Sequence, residues 1–321
     1  MGVVKNMICL NLTSTDPFFN LAVDEFLLKN RREDFLVLSV NDPSVIIGKH
    51  QVAHREAETK FVTERGIPVI RRISGGGAVY HDHGNLNFSF ILQSSHGTQV
   101  DFRKYTQPVI DFLSTLGVDS RFEGKNDLKV DGFKVSGNAE HVFRQRVLHH
   151  GTLLFSSQME MLRKTLRKDT SPYITRAVAS NPSPVMNLSE RITGMKMPEF
   201  ISSMLNFFLE RNTLNTIAEL SPGEEASVRE LAGTRYSSWE WNYAYGPEYQ
   251  LNKSFEAFGK THHCSVSVSD GIISECIIEG SAAMSAIAGR LTGCRHMPDD
   301  LDRILADENE VMRTLVKDVL F

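Results

Sequence analysis

Three consecutive glycines, Gly75 to Gly77, lie within the stretch Arg71–Asp82, directly after two arginines and one short apolar segment. That apolar segment ends at Ile70, and an alternating apolar and polar segment begins at Asn85, so the order predicts strand, glycine turn and strand. Adjacent glycines weaken ordinary secondary structure, and they are typical of backbone that another group approaches closely. Because guanidinium groups flank the bare N–H groups, the pattern favours an anion-binding turn over a flexible linker with a solvated basic flank.

A second strong pattern is a predicted β-hairpin that turns at Asp131-Gly132, a dipeptide that favours two-residue turns. In the register set by this turn, Lys129 lies opposite Lys134 and Leu128 opposite Val135. Like charges directly opposite each other destabilise a strand pair. Three arrangements are therefore open: both ammonium groups splay into water, an anion lies between them, or one lysine is buried and used.

The residues on either side of this hairpin favour a functional role. Asn126 and Asp127 precede it with oxygen groups suited to a metal ion or a ribose. The segment Ser136–Ala139 follows it with small residues that would allow a ligand to approach the strand. We therefore predict that the hairpin takes part in binding a ligand.

Composition indicates a soluble globular protein without a membrane or nucleic-acid partner. The 321 residues suffice for one large and one small domain, and 41% apolar and 23% charged residues are ordinary values. The net charge of −4 argues against a nucleic-acid-binding surface as the main purpose. The four cysteines lack metal-ligand spacing and suggest no disulfide framework. Neither a membrane span of about 20 apolar residues nor a signal peptide at residues 1–6 is recognisable, so we expect a cytoplasmic protein.

The order of the predicted elements indicates an α+β (mixed α/β) fold, with a large domain of mixed β-sheets flanked by helices. Helices are predicted over residues 16–30, 54–65, 102–116, 158–167 and 198–212, and strands over 35–40, 45–48, 85–90 and 149–155. Between the last of these strands and the last of these helices, residues 168–189 contain three prolines, which predicts a long irregular segment.

A hinge is predicted at Tyr245-Gly246-Pro247, after which the pattern changes. Two strands around a turn at Asp270-Gly271 are followed by a helix over 281–291 and another from Pro298 to the end. We expect a catalytic domain over residues 1–246 and a small α/β accessory domain over residues 247–321. Trp239, Trp241 and Tyr243 precede the hinge and are expected to pack at the junction between the domains.

Taken in order, these motifs resemble the lipoate–protein ligase A family. The blocks that carry the resemblance are Arg71–Asp82, Gly84–Phe88, Asn126-Asp127, Lys134–Ala139 and His150–Leu154. The agreement in motifs runs from about Asn20 to Leu188, and the two-domain layout extends it to the end of the chain. The resemblance implies the fold of biotin and lipoate ligases.

The resemblance also implies an activity, namely that of an ATP-dependent lipoate–protein ligase. Lipoate and ATP, with Mg²⁺, would give enzyme-bound lipoyl-AMP and pyrophosphate, and the lipoyl group would then pass to a lysine of an acceptor protein. The implied acceptors are apo lipoyl domains of 2-oxoacid dehydrogenase E2 subunits and the H protein of the glycine cleavage system. We also hypothesise that the accessory domain swings between the two steps and that residues 168–189 become ordered when the adenylate binds.

The resemblance further implies which residues form the site. Lys134 would be catalytic and would contact both the lipoyl carbonyl and the α-phosphate. The implied nucleotide-binding residues are Arg72, Gly77, Ala78, Val79, Tyr80, Asn126, Asp127 and Lys134, with Asp127 also holding Mg²⁺. The implied lipoate-binding residues are Ser74, Gly75, Gly76, His81, Lys134, Ala139 and His149. Small and aliphatic side chains, among them Val45 and Ile47, are expected to line a tunnel for the lipoyl chain. For His149 and His150, the residues alone leave two roles open: part of the structural scaffold, or part of the pocket wall.

Two other functions found on the same fold fit these residues less well. An octanoyltransferase with the same fold needs a cysteine thiolate, but no cysteine lies between Cys9 and Cys264. The GRGRxG phosphate loop of biotin ligases does not occur in the sequence. Two alternatives remain open: a lipoyl or octanoyl transferase that uses preformed lipoyl-AMP or an acyl carrier, and a non-catalytic binder of lipoate or nucleotide.

Overall fold

The structure is a computed structural model, and it describes residues 6–94 and 101–321. The sequence analysis expects no signal peptide at residues 1–6, and residues 1–5 of that segment lie outside the described residues. In the part of the chain that is described, no helix is long and apolar enough to cross a membrane. Strands and helices below are numbered in chain order, and together they confirm the predicted α+β class.

The largest element of the fold is a mixed sheet of eight strands. Its strands are β1 (Met7–Asn11), β2 (Asp34–Val40), β6 (Asn85–Gln93), β7 (Arg121–Glu123), β8 (Asp127–Val130), β9 (Phe133–Phe143), β10 (Arg146–Leu154) and β12 (Thr216–Ile217). Their spatial order is β12-β1-β2-β6-β10-β9-β8-β7. The pairs of β1 with β2 and with β12 are parallel, and the remaining pairs are antiparallel.

A separate three-stranded sheet carries the glycine turn. It consists of β3 (Ser44–Ile47), β4 (Val69–Arg71) and β5 (Val79–His81) in the order β4-β3-β5. The glycines therefore connect two strands that lie on either side of β3. The strand β5 was not predicted, because three residues are too few for an alternating pattern to be recognised.

Helices cover the sheets and bury most of the apolar side chains. They are α1 (Pro17–Asn30), α2 (Ala53–Glu56), α3 (Thr59–Glu64), α4 (Phe102–Thr115), α5 (Met159–Thr165), α6 (Met197–Arg211) and α7 (Pro222–Leu231). The start of α1 is as predicted, since the Asp16 side chain accepts a hydrogen bond from the Phe18 N–H at 2.9 Å. The single helix predicted over 54–65 is wrong. It is broken because the Glu58 N–H donates to the Thr165 carbonyl at 2.9 Å, a pairing between distant segments.

A four-stranded antiparallel sheet with three helices forms the carboxyl-terminal part. Its elements are β11 (Tyr173–Thr175), β13 (Tyr249–Ala257), β14 (Lys260–Ser269), β15 (Ile272–Glu279), α8 (Ala282–Leu291), α9 (Pro298–Ile304) and α10 (Glu310–Leu320). The predicted turn at Asp270-Gly271 is confirmed, and both residues have positive φ. The predicted helix from Pro298 to the end is instead two helices, because Asn309 caps a new start at α10. The strand β11 comes from the proline-rich segment, outside the predicted accessory range.

Aromatic and histidine side chains join this part to the rest of the chain. The buried imidazoles of His54 and His296 lie 4.6 Å apart between ring centroids, and His54 also contacts Tyr243. Trp241, which was expected at the junction, is instead in the core of the large part, where its indole donates to the Arg71 carbonyl at 2.7 Å, within a π-helical turn that leads toward the predicted hinge. Trp239 lies against Gly271 of the small sheet.

Candidate active site

The glycine turn is held in shape by the guanidinium group of Arg72. Its Nη2 donates to the carbonyls of Gly75 and Gly77 at 2.6 and 2.8 Å. Gly76 lies between them with φ +88°, a conformation that favours glycine, and a Cβ there would lie 2.9 Å from Arg72 Nη2. Burial lowers the pKa of Arg72 to about 10, so the group stays charged at neutral pH. Arg72 thus gives the turn both its shape and a positive field.

The neighbouring Arg71 has a structural position. Its side chain is fully buried, with no carboxylate among its hydrogen-bond partners in the described residues. It donates to five backbone carbonyls, those of Gly48, Lys49, Gln51, Trp241 and Asn242. Of the two arginines read from the sequence as flanking an anion site, Arg71 therefore holds loops together instead.

The lysine hairpin has the predicted turn and a partly different register. Lys129 pairs with Lys134 as predicted, but a bulge shifts the next pair, so Leu128 faces Ser136 and not Val135. None of the three predicted charge arrangements describes the pair fully, because each ammonium group has its own carboxylate. Lys129 Nζ lies 3.0 Å from Glu123 Oε2, and Lys134 Nζ lies 2.8 Å from Asp127 Oδ1.

A cavity of about 610 Å³ separates the glycine turn from the hairpin, and both contribute to its walls. The predicted site residues that line it are Arg72, Gly76, Gly77, Ala78, Val79, His81, Asn126, Asp127, Lys134 and Ala139. This volume is in the range of small-molecule sites. Lys134 therefore faces a cavity shared with the glycine turn rather than bulk solvent.

Four predicted site residues, together with the two tunnel candidates, do not line this cavity. Tyr80 packs in an apolar cluster with Val45 and Ile47, so the aliphatic lining expected from those two residues is wrong. Ile46, whose side chain alternates with theirs along β3, lines the cavity instead. Ser74 and Gly75 are adjacent to the lining glycines but do not themselves border the space.

His149 belongs to the opposite face of the large sheet. Its side chain is fully buried, its Nδ1 lies 2.8 Å from Glu140 Oε1, and aromatic rings of Phe88 and Tyr105 surround it. Burial lowers its pKa. This position argues against the contact with lipoate that the resemblance implied for His149.

His150 faces the cavity in its place, as part of a chain of hydrogen bonds that sequence reasoning missed. Its Nε2 lies 2.6 Å from Ser74 Oγ and its Nδ1 lies 3.2 Å from Asp24 Oδ2. Ser89 donates a further hydrogen bond to the same Asp24 oxygen at 2.8 Å. A signal for this end of the site exists in helix α1, where Asn20 and Asp24 stand four residues apart on an otherwise apolar, buried surface.

His81 presents an unsatisfied nitrogen at the cavity wall. Its Nδ1 lies 2.9 Å from the Asn41 side-chain nitrogen, which leaves Nδ1 as the acceptor of that hydrogen bond. Its Nε2 is buried and has no hydrogen-bond partner among the described residues. Burial, with the nearby charge of Arg72, lowers the pKa of His81 to about 3. The neutral ring can therefore offer an N–H to a ligand.

The residues beside Lys134 fit a magnesium ion bound together with phosphate groups. Magnesium in such sites takes one or two carboxylates and leaves the remaining positions to phosphate and water. Asp127 supplies a carboxylate at the cavity wall, and Asn138 has a buried Oδ1 without a partner in the described chain. Across residues 6–94 and 101–321, no cluster of three His, Cys, Asp or Glu forms a self-sufficient metal site.

No cysteine of the described chain borders the cavity. Cys9 lies in the core of the large sheet, and burial raises its pKa to about 11. Cys264, Cys276 and Cys294 lie in or against the core of the small sheet. A thiolate nucleophile at this site is therefore not available from any of the four.

Comparisons with known proteins agree with this geometry. The lipoyl protein ligase A/B catalytic domain family matches residues 16–209. Lipoate-protein ligase LplJ of Bacillus subtilis is 38% identical over 84% of this chain and 83% of its own length. Lipoate–protein ligase 1 of Staphylococcus aureus is 31% identical over 92% of both chains.

Solved structures give the same result for the large part of the chain. A lipoate-protein ligase A bound with ATP superposes with a TM-score of 0.62 at 28% identity, covering 74% of this chain and 97% of that one. Protein Ta0514 of T. acidophilum with bound lipoic acid gives 0.62 at 27% identity, covering 74% and 98%. A bi-partite lipoate protein ligase of Thermoplasma acidophilum, analysed with its E2 lipoyl domain, gives 0.61 at 27% identity, covering 74% and 95%. The chain belongs to the lipoate–protein ligase family of enzymes.

Proposed function

We propose that this enzyme joins lipoate and ATP into lipoyl-AMP in the described cavity and then transfers the lipoyl group to a lysine of a lipoyl domain. The observation that carries the proposal is that the Lys134 ammonium group and the side-chain-free glycine turn border one cavity. The ATP-bound and lipoic-acid-bound structures of related proteins support both substrates.

In the first step, the lipoate carboxylate attacks the α-phosphorus and pyrophosphate leaves. Negative charge grows on the phosphoryl oxygens, and fixed cations and N–H donors lower the energy of that state. Lys134 supplies the cation, and the turn from Gly76 to Val79 supplies backbone close to the cavity, while Arg72 adds positive field. Tyr80 would contribute through its backbone alone, since its side chain is in the core.

A magnesium ion bound here would shield the charge of ATP, which otherwise repels the incoming carboxylate. Asp127, with Asn126 and Asn138 beside it, would hold this ion together with phosphate oxygens. The ion pair between Asp127 and Lys134, 2.8 Å apart, keeps both groups in position before the substrates arrive.

In the second step, the acceptor amine attacks the carbonyl carbon of the mixed anhydride and AMP leaves. Lys134 polarises the same carbonyl, so no covalent acyl-enzyme is needed. At the other end of the cavity, His81 and the chain of Asp24, His150 and Ser74 would surround the lipoyl chain. This end is more polar than the tunnel of small and aliphatic side chains that was expected for an apolar lipoyl chain.

The proposed acceptors are lipoyl domains of 2-oxoacid dehydrogenase E2 subunits and the glycine cleavage H protein, in the cytoplasm. The E2 lipoyl domain analysed with the T. acidophilum ligase supports the first class. We further propose that residues 1–246 are the catalytic domain and residues 247–321 an accessory domain that moves between the steps. Three solved relatives that each cover 74% of this chain support a catalytic unit of about that size.

The test is incubation of the enzyme with lipoate, ATP, Mg²⁺ and an apo lipoyl domain, followed by mass measurement of the acceptor. The expected result is a gain of one lipoyl group that requires ATP and releases pyrophosphate. A gain with preformed lipoyl-AMP but none with ATP would instead identify a transferase. Absence of any gain, with tight lipoate binding retained, would identify a binder.

A further inference from the structure

One wall of the cavity is formed by residues 177–186, a segment that we call the strap. At its first end, the Val178 N–H donates to the His50 carbonyl at 3.2 Å. The Ala177 carbonyl accepts a hydrogen bond from Arg55 Nη1, also at 3.2 Å. The strap therefore begins attached to the loop and helix that follow β3.

The second end of the strap is attached to the catalytic lysine itself. The Lys134 N–H donates to the Pro184 carbonyl at 2.8 Å, and the Met186 N–H donates to the Lys134 carbonyl at 3.1 Å. Between the two ends, the strap residues that line the cavity are Val178, Ala179, Ser180, Asn181 and Ser183. The strap thus connects the glycine-turn side of the site with the hairpin side.

Ser180 fastens the middle of the strap to the glycine turn. The Ala78 N–H donates to Ser180 Oγ at 2.8 Å, and the Ser180 hydroxyl donates to Glu56 Oε2. The Ser180 N–H also points to Glu56 Oε2 at 3.3 Å, and Gln51 Nε2 donates to Ser180 Oγ at 3.1 Å. We call the connected groups of Glu56, Ser180 and Ala78 the latch.

The glycine turn is shaped to receive this latch. A Cβ on Gly77 would lie 3.0 Å from Ser180 Oγ and 3.2 Å from Ser180 Cα, which is closer than ordinary packing allows. The absence of a side chain at Gly77 therefore serves the strap. Ser180 is thus a second group that approaches the glycine turn closely, in addition to the anion predicted from the sequence.

Glu56 is a buried carboxylate that the two chemical steps do not use. It is 4% exposed and does not border the cavity, and burial raises its pKa. Its Oε1 has no hydrogen-bond partner among the described residues. Burying a carboxylate is unfavourable unless its hydrogen bonds compensate, and the hydrogen bonds that the Glu56 side chain accepts come from Ser180 of the strap.

We propose that Glu56 and Ser180 are positioning residues that keep the strap closed over lipoyl-AMP and so exclude water until the acceptor amine arrives; this inference rests on the proposed function. In the side reaction, a water oxygen attacks the carbonyl carbon and the bond from that carbon to the phosphate oxygen breaks. AMP leaves with the electron pair and lipoate is regenerated, so ATP is hydrolysed without product. In transfer, the acceptor amine takes the place of water. The latch therefore determines which fraction of the lipoyl-AMP reacts with the acceptor amine and which fraction reacts with water.

The experiment measures AMP and lipoylated acceptor in the same reaction, with lipoate, ATP, Mg²⁺ and apo lipoyl domain. In Ser180→Ala, which loses the hydrogen bond to a charged group, the ratio of AMP to lipoylated acceptor should rise about tenfold over wild type. Ser180→Thr keeps the hydroxyl and should stay near the wild-type ratio, while Glu56→Gln should give an intermediate rise. Ser171→Ala is the matched control, because this exposed hydroxyl contacts only Asp169 among the described residues.

The outcomes separate the strap from the proposed function. Suppose that the wild-type enzyme lipoylates the acceptor, and that Ser180→Ala slows the reaction without changing the ratio of AMP to lipoylated acceptor. The inference is then overturned. It is also overturned if Ser180→Thr uncouples as strongly as Ser180→Ala, since the hydroxyl would then be irrelevant. If wild type makes no lipoylated acceptor, the proposed function itself fails. Circular dichroism checks folding, and should Ser180→Ala be unfolded, Glu56→Gln and Ser180→Thr decide between the same outcomes.

Discussion

Replacing Lys134 with methionine removes one charge and leaves a side chain of similar length. In the folded protein, Lys134 Nζ lies 2.8 Å from Asp127 Oδ1, and the two side chains are 21% and 16% exposed. A Cβ on Gly137 would lie 3.0 Å from Nζ, so the ammonium group rests directly against that glycine. Methionine fits this position without a new cavity, and the change therefore tests charge rather than packing.

The magnitudes expected for stability and for activity differ. At an effective dielectric constant near 20, unit charges 2.8 Å apart attract by about 6 kcal/mol, but partial exposure and the desolvation of both groups reduce the net contribution to about 1 kcal/mol or less. By contrast, removing one fixed donor from a developing negative charge typically lowers kcat by about 10²–10³-fold. We therefore expect Lys134→Met to lose most of its activity and little of its free energy of unfolding.

Lys129 provides the matched control, because it lies opposite Lys134, has its own carboxylate partner at 3.0 Å and is 24% exposed. Lys129→Met should lower kcat by about threefold or less, the effect of a partly exposed ion pair. Lipoylation is followed by mass and unfolding by urea denaturation. Equal losses of kcat in Lys134→Met and Lys129→Met would refute the assignment of Lys134 as the catalytic cation.

Three further predictions concern the turn, the junction and the thiols. Gly48→Ala should lower the free energy of unfolding by about 1–3 kcal/mol, because the new Cβ would lie 2.1 Å from the Gly76 carbonyl oxygen. In Gly75→Ala the new Cβ would meet nothing within 4 Å, so this control should change stability far less. Urea denaturation measures both variants. Burial lowers the pKa of the His296 imidazole in the folded protein to about 3. Between the ordinary pKa of about 6.5 and pH 3, the unfolded chain binds this proton and the folded chain does not, so the free energy of unfolding falls as the pH falls. His296→Gln should make the urea midpoint depend less on pH between 6.5 and 4.5, and an unchanged slope would contradict the burial argument. Iodoacetamide should leave lipoylation unchanged, since no cysteine of the described chain borders the cavity; inactivation protected by lipoate would argue for a thiol at the site.

Features that depend on neighbouring residues in the chain were predictable from the sequence. The start of α1 at Asp16 and the turn at Asp131-Gly132 are local, and the structure has both. The glycine turn and the hairpin were also found as separate motifs. Their meeting across one cavity was implied by the family resemblance, because no local pattern states which distant segments lie together.

Features that depend on distant segments or on sheet faces were not predictable. The break between α2 and α3 follows from pairing with Thr165, which no pattern within 54–65 encodes. The resemblance placed His149 in the site, whereas the structure places His150 there. To decide between them, one must know which face of β10 meets the cavity. A strand buried on both faces has no alternation of polar residues that would identify that face. Asp24 was overlooked because α1 is predicted well as an apolar helix, and the two adjacent buried carboxylates of Asp24 and Glu25 do not disturb that pattern.

The bulge in the lysine hairpin is a further feature of the site that the sequence does not reveal. Side chains alternate between the two faces of a strand, so one extra residue moves every later side chain to the other face. In the predicted register, Gly137 and Ala139 would lie on the face opposite to Lys134. The shift between Leu128 and Lys129 instead brings Gly137 opposite Asp127, on the face of the Lys134 ammonium group. The bulge therefore places beneath Lys134 the one residue type that leaves room for it, and a substitution that restored the regular register would remove that space.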